Sequence, residues 1–198
     1  MEGSIDLRPE ARYRKINMHF LHTLASSVLL LGGNAVSIKV PEPTAPALEY
    51  LYTAFALIEP GIYSSQGPRG IRTALPIKGG NFTGPRMNGR ILDLGADWGL
   101  TDPQTGIFSP DTRYNLQTDD GANILIQTSG AAQPDTKIHL RLVFETGNKD
   151  YYWLNFVTAV GILQQAETFD NGSFVLRIDA WNLANEWKNT TFVNSTQN

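Results

Sequence analysis

Short runs of alternating apolar and polar residues dominate the middle of the chain. Across residues 137–145 every second side chain is apolar, and a period of two places these side chains on one face of a β-strand. Residues 111–118 and 123–128 flank Asp119-Asp120-Gly121, where Asp followed by Gly favours a tight turn, so they predict a hairpin. Other strand-like runs, punctuated by glycine and proline, cover 50–57, 71–77, 90–94, 151–155, 157–161 and 174–181.

These runs predict an all-β fold, a single antiparallel β-barrel over residues 48–183. Beyond residue 37 no long segment has a helical apolar stripe, and 18 glycines and 11 prolines are spread through the chain between short strands. A barrel is favoured over a sandwich because closure removes the exposed edges of many short strands. Residues 38–47, which hold three prolines, predict a linker, and residues 184–198 predict a polar tail.

The first 37 residues have the order of a signal peptide. Basic residues within 12–15 precede an apolar run at 20–33, and the small residues Ala35 and Ser37 stand three before and immediately before Ile38. The run is too short for a comfortable transmembrane helix. We therefore expect residues 1–37 to be removed and the protein to be secreted, with no membrane association in its mature form. A buried N-terminal helix is the alternative, and Met18 is a second candidate for the start.

Four triplets fit the acceptor pattern for N-glycosylation, which weakly supports a secreted glycoprotein. Such triplets also arise by chance, so each one alone carries little weight. They begin at Asn81, Asn171, Asn189 and Asn194.

Composition and charge narrow the function classes. The net charge is -3 and the basic residues are scattered, so no nucleic-acid partner is expected. The chain has no cysteine, which excludes disulfides and thiolate chemistry. His139 is the one histidine beyond the leader, and Asp119 with Asp120 supplies too few ligands for calcium. The sequence therefore predicts no metal site.

Four stretches, taken in order, resemble a known family. Together they resemble the domain of unknown function 3237 family, and the chain looks like a fungal-like secreted member of it. The resemblance covers roughly residues 48–183, and it implies a lipocalin-like β-barrel without an established reaction. The four stretches are residues 70–85, 89–98, 111–122 and 152–155.

Asp97 and Trp98 place an acid and a large aromatic side chain at the end of a predicted strand. In a barrel, the loop that follows them would lie at a mouth. The indole could stack on a ring, and the carboxylate could accept hydrogen bonds or exchange a proton. The alternative is a buried tryptophan beside an aspartate that caps a turn.

One face of the predicted strand 111–118 is entirely polar, with Asp, Arg, Asn and Gln at alternate positions. This face either meets solvent or lines a wet barrel interior. Lys and Glu would be commoner on a solvated face, which favours the interior. Arg113 could pair with Asp97, with Asp111 or with a ligand carboxylate. The predicted catalytic residues are Asp97, Arg113 and Tyr114, and the predicted ligand-binding residues are Trp98, Arg72, Asp111 and Asn115.

The predicted function is binding of a small organic molecule inside the barrel. Such a barrel could act as a cofactor-free cyclase, isomerase or lyase, and no cofactor is expected. A non-catalytic binding or carrier barrel is the alternative, and a structural or interaction domain whose polar face meets solvent is a third reading. A buried acid or base would favour the enzyme, whereas the structural domain predicts no enclosed pocket. The sequence leaves a homo-oligomer open.

Overall fold

The computed structural model describes residues 41–184, and its dominant feature is a set of antiparallel strands. The chain divides into two units, Met1–Pro43 and Thr44–Asn198, and the strands belong to the second. The elements in chain order are β1 (Leu48–Ile58), β2 (Tyr63–Gly67), β3 (Gly70–Thr83), β4 (Asn88–Thr101), β5 (Phe108–Ser109), β6 (Asp111–Thr118), β7 (Asn123–Ala132), β8 (Ile138–Glu145), the 3₁₀-helix η1 (Tyr152–Phe156), β9 (Ala159–Thr168) and β10 (Phe174–Leu183).

Eight of the strands close into one barrel, which confirms the predicted all-β class and antiparallel barrel. The hydrogen-bonded order is β3-β1-β10-β9-β8-β7-β6-β4, and β4 returns to pair with β3. The short strands β2 and β5 extend the sheet beside β3 and β4. Closure leaves no free edge among the eight barrel strands. Among residues 41–184, no helix is both long and apolar enough to span a membrane.

The alternation along each strand fills the barrel interior. On β6 the side chains from Thr112 to Thr118 at every second position are buried, and on β8 the same holds for Leu140, Leu142 and Phe144. The apolar ones among them, Tyr114 and Leu116 on β6 and the three on β8, join side chains of β1, β3, β7 and β10 in one core cluster. Burial of this apolar surface is the main favourable term for the fold.

Gly95 permits a bend in β4 next to the barrel wall. Its φ is +146°, which favours glycine, and an added Cβ would lie 2.5 Å from the carbonyl oxygen of Arg113 on β6. The register between β4 and β6 shifts between Ile91 and Gly95. This irregularity lies just before the part of β4 that carries Asp97.

The polar face of β6 lies on the outside of the barrel. The prediction that this face lines the interior is therefore wrong. Asp111, Asn115 and Gln117 are partly exposed, and the Arg113 side chain is 56% exposed. The opposite face carries Tyr114 and Leu116, and burial of these large side chains outweighs any preference of the polar set for the interior.

The helix η1 lies at the end of the barrel where β8 finishes. It buries Trp153 and Leu154 in the core, and the Asn155 side chain exchanges two 2.9 Å hydrogen bonds with the backbone of Thr146. The strand predicted for residues 151–155 is thus wrong. Both Trp153 and Leu154 face the core from one short turn, which an alternating strand cannot achieve.

Candidate functional site

The other end of the barrel holds a small, partly open cavity of about 170 Å³. It lies where β1 and β6 carry Ile58 and Thr112, away from η1. Its lining is apolar except for one carboxyl and one hydroxyl side chain. The lining residues are Ile58, Leu75, Asp97, Phe108, Pro110, Thr112, Ile138, Leu163, Phe174 and Leu176.

Asp97 is the acid of this cavity. It pairs with Leu75 of β3 and Thr112 of β6, so β4 holds it in the barrel wall, where it is 8% exposed. Burial raises the pKa of Asp97 to about 6, and the negative charge of Asp111 also raises it. The backbone hydrogen bond from Asp111 and the positive charge of Arg72 lower it. A carboxyl group with this pKa can both give and accept a proton near neutral pH.

An ion-pair cluster lies on the outer side of the wall behind Asp97. The Asp111 amide donates a 2.8 Å hydrogen bond to Oδ1 of Asp97. The Asp111 carboxylate pairs with Arg113 at 3.1 Å and with Arg72 at 3.5 Å. Arg72 also donates to the backbone carbonyl of Trp98. We call Arg72, Asp111 and Arg113 the outer cluster.

Phe108 covers part of the cavity mouth by packing on a glycine. An added Cβ on Gly99 would lie 2.1 Å from Cζ of Phe108, so the ring occupies the space that any larger residue at position 99 would fill. The backbone of β5 pairs with Leu100 and Thr101 and holds Phe108 there. Glycine at position 99 thus leaves room for the Phe108 ring.

A second cavity of about 20 Å³ continues deeper into the barrel, and Tyr114 helps to line it. Thr112, Leu163 and Leu176 line both cavities. The hydroxyl groups of Thr112 and Thr128 satisfy each other at 2.6 Å across the β6–β7 pair. Burial raises the pKa of Tyr114, so its phenol stays protonated at neutral pH.

The structure brings five of the seven predicted site residues into one region. Asp97 lines the cavity, and Arg72, Asp111 and Arg113 lie behind it with the backbone of Trp98. The Trp98 side chain itself is 47% exposed on the outer face and does not line the cavity. Tyr114 lies deeper inside the barrel. The roles proposed for these residues in catalysis or binding stay predictions.

Asn115 lies apart from the cavity. Its side chain donates to the carbonyl of Leu94 at 3.4 Å and lines an outer cleft of about 500 Å³ that includes Tyr152 and Asn155. Sequence reasoning missed the contributions of Thr112, Phe108 and Pro110. The alternation of β6 assigns Thr112 to the same face as Tyr114, but no pattern in the sequence indicates that Phe108 packs over Gly99.

A larger groove of about 590 Å³ lies on the outer face of β8, β9 and β10, beside Arg141, Val160 and Trp181. It is more open to solvent than the cavity at Asp97, which holds a buried acid. Chemistry that needs exclusion of water therefore favours the smaller cavity. Among residues 41–184, no group of three or more His, Asp or Glu side chains is placed to hold a metal ion.

Fold and site define the class of protein: a closed antiparallel β-barrel with one carboxyl group in an apolar end cavity. The chain belongs to the family described as protein of unknown function, DUF3237, whose model matches residues 46–182. It is 34% identical over 131 residues to the hydroalkoxylation enzyme phnH of Penicillium herquei, covering 66% of this chain and 83% of that protein.

Solved structures with the same fold include a bacterial and a fungal protein. A β-barrel-like protein from Acinetobacter baumannii is 31% identical, with a TM-score of 0.63 over 72% of this chain and 99% of that one. An enzyme from Penicillium herquei is 28% identical, with a TM-score of 0.58 over 73% of this chain and 99% of that one.

Proposed function

We propose that the protein is a cofactor-free enzyme that acts on a small organic molecule. It adds the O–H of a substrate hydroxyl group across a carbon–carbon double bond. Asp97 carries the proposal, because it is the one ionisable side chain among the described residues that line the apolar cavity. The similarity to a hydroalkoxylation enzyme supports this reaction class. The earlier expectation of a cyclase fits an intramolecular addition, which closes an oxygen-containing ring.

The reaction balances with Asp97 as the single proton carrier. The protonated carboxyl group gives its proton to one alkene carbon, which forms a C–H bond. The hydroxyl oxygen of the substrate attacks the neighbouring carbon and forms a C–O bond. The proton of that hydroxyl group then returns to the Asp97 carboxylate. No electrons leave or enter the substrate, so the step needs no redox partner.

The apolar lining suits this chemistry in two ways. It keeps water away from the electron-poor carbon, so that the substrate hydroxyl group is the nucleophile. It also keeps Asp97 protonated at a pH where an exposed aspartate is ionised. An alkene polarised by a conjugated substituent is the expected substrate, because a carboxylic acid of this strength protonates an isolated alkene slowly.

The cavity volume limits what can enter. At about 170 Å³ it is close to the roughly 150 Å³ of a cavity that accommodates benzene. One ring or a short alkenyl arm therefore fits beside Asp97. The remainder of a larger substrate would extend past Phe108 at the mouth.

The test is turnover of a panel of alkenyl phenols and alkenyl alcohols in D₂O, followed by NMR. The product should carry one deuterium at the newly formed C–H bond. Asp97→Asn should lower the rate roughly 10²–10⁴-fold while small apolar molecules still bind, because the amide fills the same space without exchanging a proton. Asp93→Asn, an exposed aspartate on the same strand, is the matched control and should keep full activity. Full activity of Asp97→Asn would refute the proposal.

The almost wholly apolar lining also favours the second candidate, a carrier barrel. A carrier would bind the same panel and return every compound unchanged. Binding without conversion in the wild type, across compounds that saturate the cavity, would support the carrier over the enzyme.

A further inference from the structure

Asp111 connects the two sides of the barrel wall. Its backbone amide donates to Oδ1 of Asp97 at 2.8 Å, while its side chain points to the outer arginines. Pro110 alone connects β5 to β6, and proline has no N–H group. The Asp111 amide is therefore the first backbone donor after β5. The hydrogen bond holds one oxygen of Asp97, a residue that lines the cavity.

The outer cluster ties Asp111 to two strands. Arg113 reaches it along β6 at 3.1 Å, and Arg72 reaches it from β3 at 3.5 Å. Arg72 also bonds the carbonyl of Trp98, the residue after Asp97 on β4. The cluster therefore braces β3, β4 and β6 at the point where β4 carries the acid.

Two charges of opposite sign face Asp97, and both come from this cluster. Arg72 on β3 lowers the pKa of Asp97, and the Asp111 carboxylate on β6 raises it. The strands on the cavity side present apolar groups instead, including Ile58 of β1, Ile138 of β8 and Leu163 of β9. No charged side chain other than Asp97 lines the cavity among the described residues.

We propose that the outer cluster acts through Asp97: Asp111 and Arg72 are positioning residues that orient the acid and set its charge, and they do not contact the substrate. This inference rests on the proposed function for its catalytic meaning, but the effect on Asp97 itself is independent of any substrate. It assigns the cluster a role different from the ligand contact that the sequence suggests.

The experiment follows the Asp97 carboxyl group by ¹³C NMR across pH in the full-length protein labelled at aspartate. Asp111→Asn removes the negative charge and leaves both arginines less neutralised, so Asp97 should titrate at a lower pH. Arg72→Met should move the titration to higher pH. Changes of about half a pH unit or more are expected, since single charges at close range produce shifts of this order. Arg113→Met should move it upward by less, because Arg113 pairs with Asp111 rather than acting on Asp97.

Arg177→Met supplies the matched control. Arg177 pairs with Asp179 two residues away on β10 at 3.0 Å, which repeats the spacing of Arg113 and Asp111 on another strand. It should leave the Asp97 titration in place. An unchanged titration in both Asp111→Asn and Arg72→Met would overturn the inference, even if those variants lose stability. Where turnover is measurable, the midpoint of its pH profile should move with the titration. Shifted titrations without turnover in the wild type would overturn the proposed function alone.

Discussion

The pKa of one aspartate in this barrel shifts in the opposite direction from those of two others. Asp97 is buried in an apolar wall, and its pKa rises to about 6. Asp102 lies in an exposed loop, where the amide of Gln104 and the hydroxyl group of Thr105 lower its pKa. Thr118 and Tyr151 likewise lower the pKa of Asp120. Burial, rather than the presence of hydrogen-bond donors, is what distinguishes the candidate acid.

Asp97 should make the stability of the protein depend on pH. Its pKa is raised from 3.8 to about 6 in the folded state, so its ionisation opposes folding. The penalty is absent below pH 3.8, grows up to about pH 6 and is complete above it, at about 3 kcal/mol for two pH units. Asp97→Asn should therefore raise the free energy of unfolding by about 1–3 kcal/mol at pH 7.5 and change it little at pH 4.

Urea unfolding of both proteins at the two pH values measures this difference. Asp93→Asn removes an exposed acid from the same strand and should give no gain at pH 7.5. An equal effect of Asp97→Asn at pH 4 and pH 7.5 would show that Asp97 titrates normally.

At the scale of the elements, alternation predicts where strands lie. It does not predict which face of a strand is buried, or where a short helix replaces a strand, because packing determines both. The run at 137–145 and the hairpin around Asp119-Asp120-Gly121 correspond to β8 and to the β6–β7 pair. Alternation could not say which face of β6 is inside, because both faces offer a consistent pattern. It also could not identify η1, whose apolar residues resemble a strand but close the barrel end as a turn of helix.

The site was predictable to a similar extent. The sequence predicts Asp97 and Trp98 at the end of a strand, but β4 continues to Thr101, so both residues lie within it. Trp98 faces outward while Asp97 faces the cavity, as the alternation of neighbours requires. The pairing of Arg113 with Asp111 is one of those that the sequence predicts. Phe108 and Pro110 enter the cavity from the two-residue strand β5 and the residue after it, a segment too short for any periodicity to indicate.

Gly99 and Phe108 allow a test of how β5 closes the mouth. Gly99→Ala places a Cβ 2.1 Å from the Phe108 ring and should displace it, at a cost of about 1–3 kcal/mol in stability. In the background of Phe108→Ala the same change should cost almost nothing, since the clash is gone. Thermal or urea unfolding of the four proteins completes the cycle. Gly147→Ala, where an added Cβ meets nothing within 4 Å, is the control. Additive effects of the two substitutions would contradict this packing.

At the scale of the whole barrel, one end is packed with side chains and the other end keeps a cavity. Closure through the β3–β4 pair gives a continuous wall, so access to the interior is decided at the ends. One end is filled by Trp153 and Leu154 of η1, and the other keeps the cavity with Asp97. The structure thus separates a packed end, which stabilises the fold, from an end whose incomplete packing leaves room for a ligand.

Two tryptophans test this division of the barrel. Trp153 is 4% exposed at the packed end, with the guanidinium group of Arg86 3.6 Å from its ring centroid. Trp153→Ala should lower the free energy of unfolding by about 3–5 kcal/mol, because loss of the indole leaves a new void in the core at the packed end. Trp98→Ala should cost less than about 1 kcal/mol, since about half of the residue is exposed and the carbonyl that Arg72 contacts is retained. Urea unfolding measures both, and titration with a small apolar ligand such as toluene reports on the cavity. Trp98→Ala should leave that titration unchanged, because its side chain lies outside the cavity; loss of toluene binding in this variant would place the indole in the site after all.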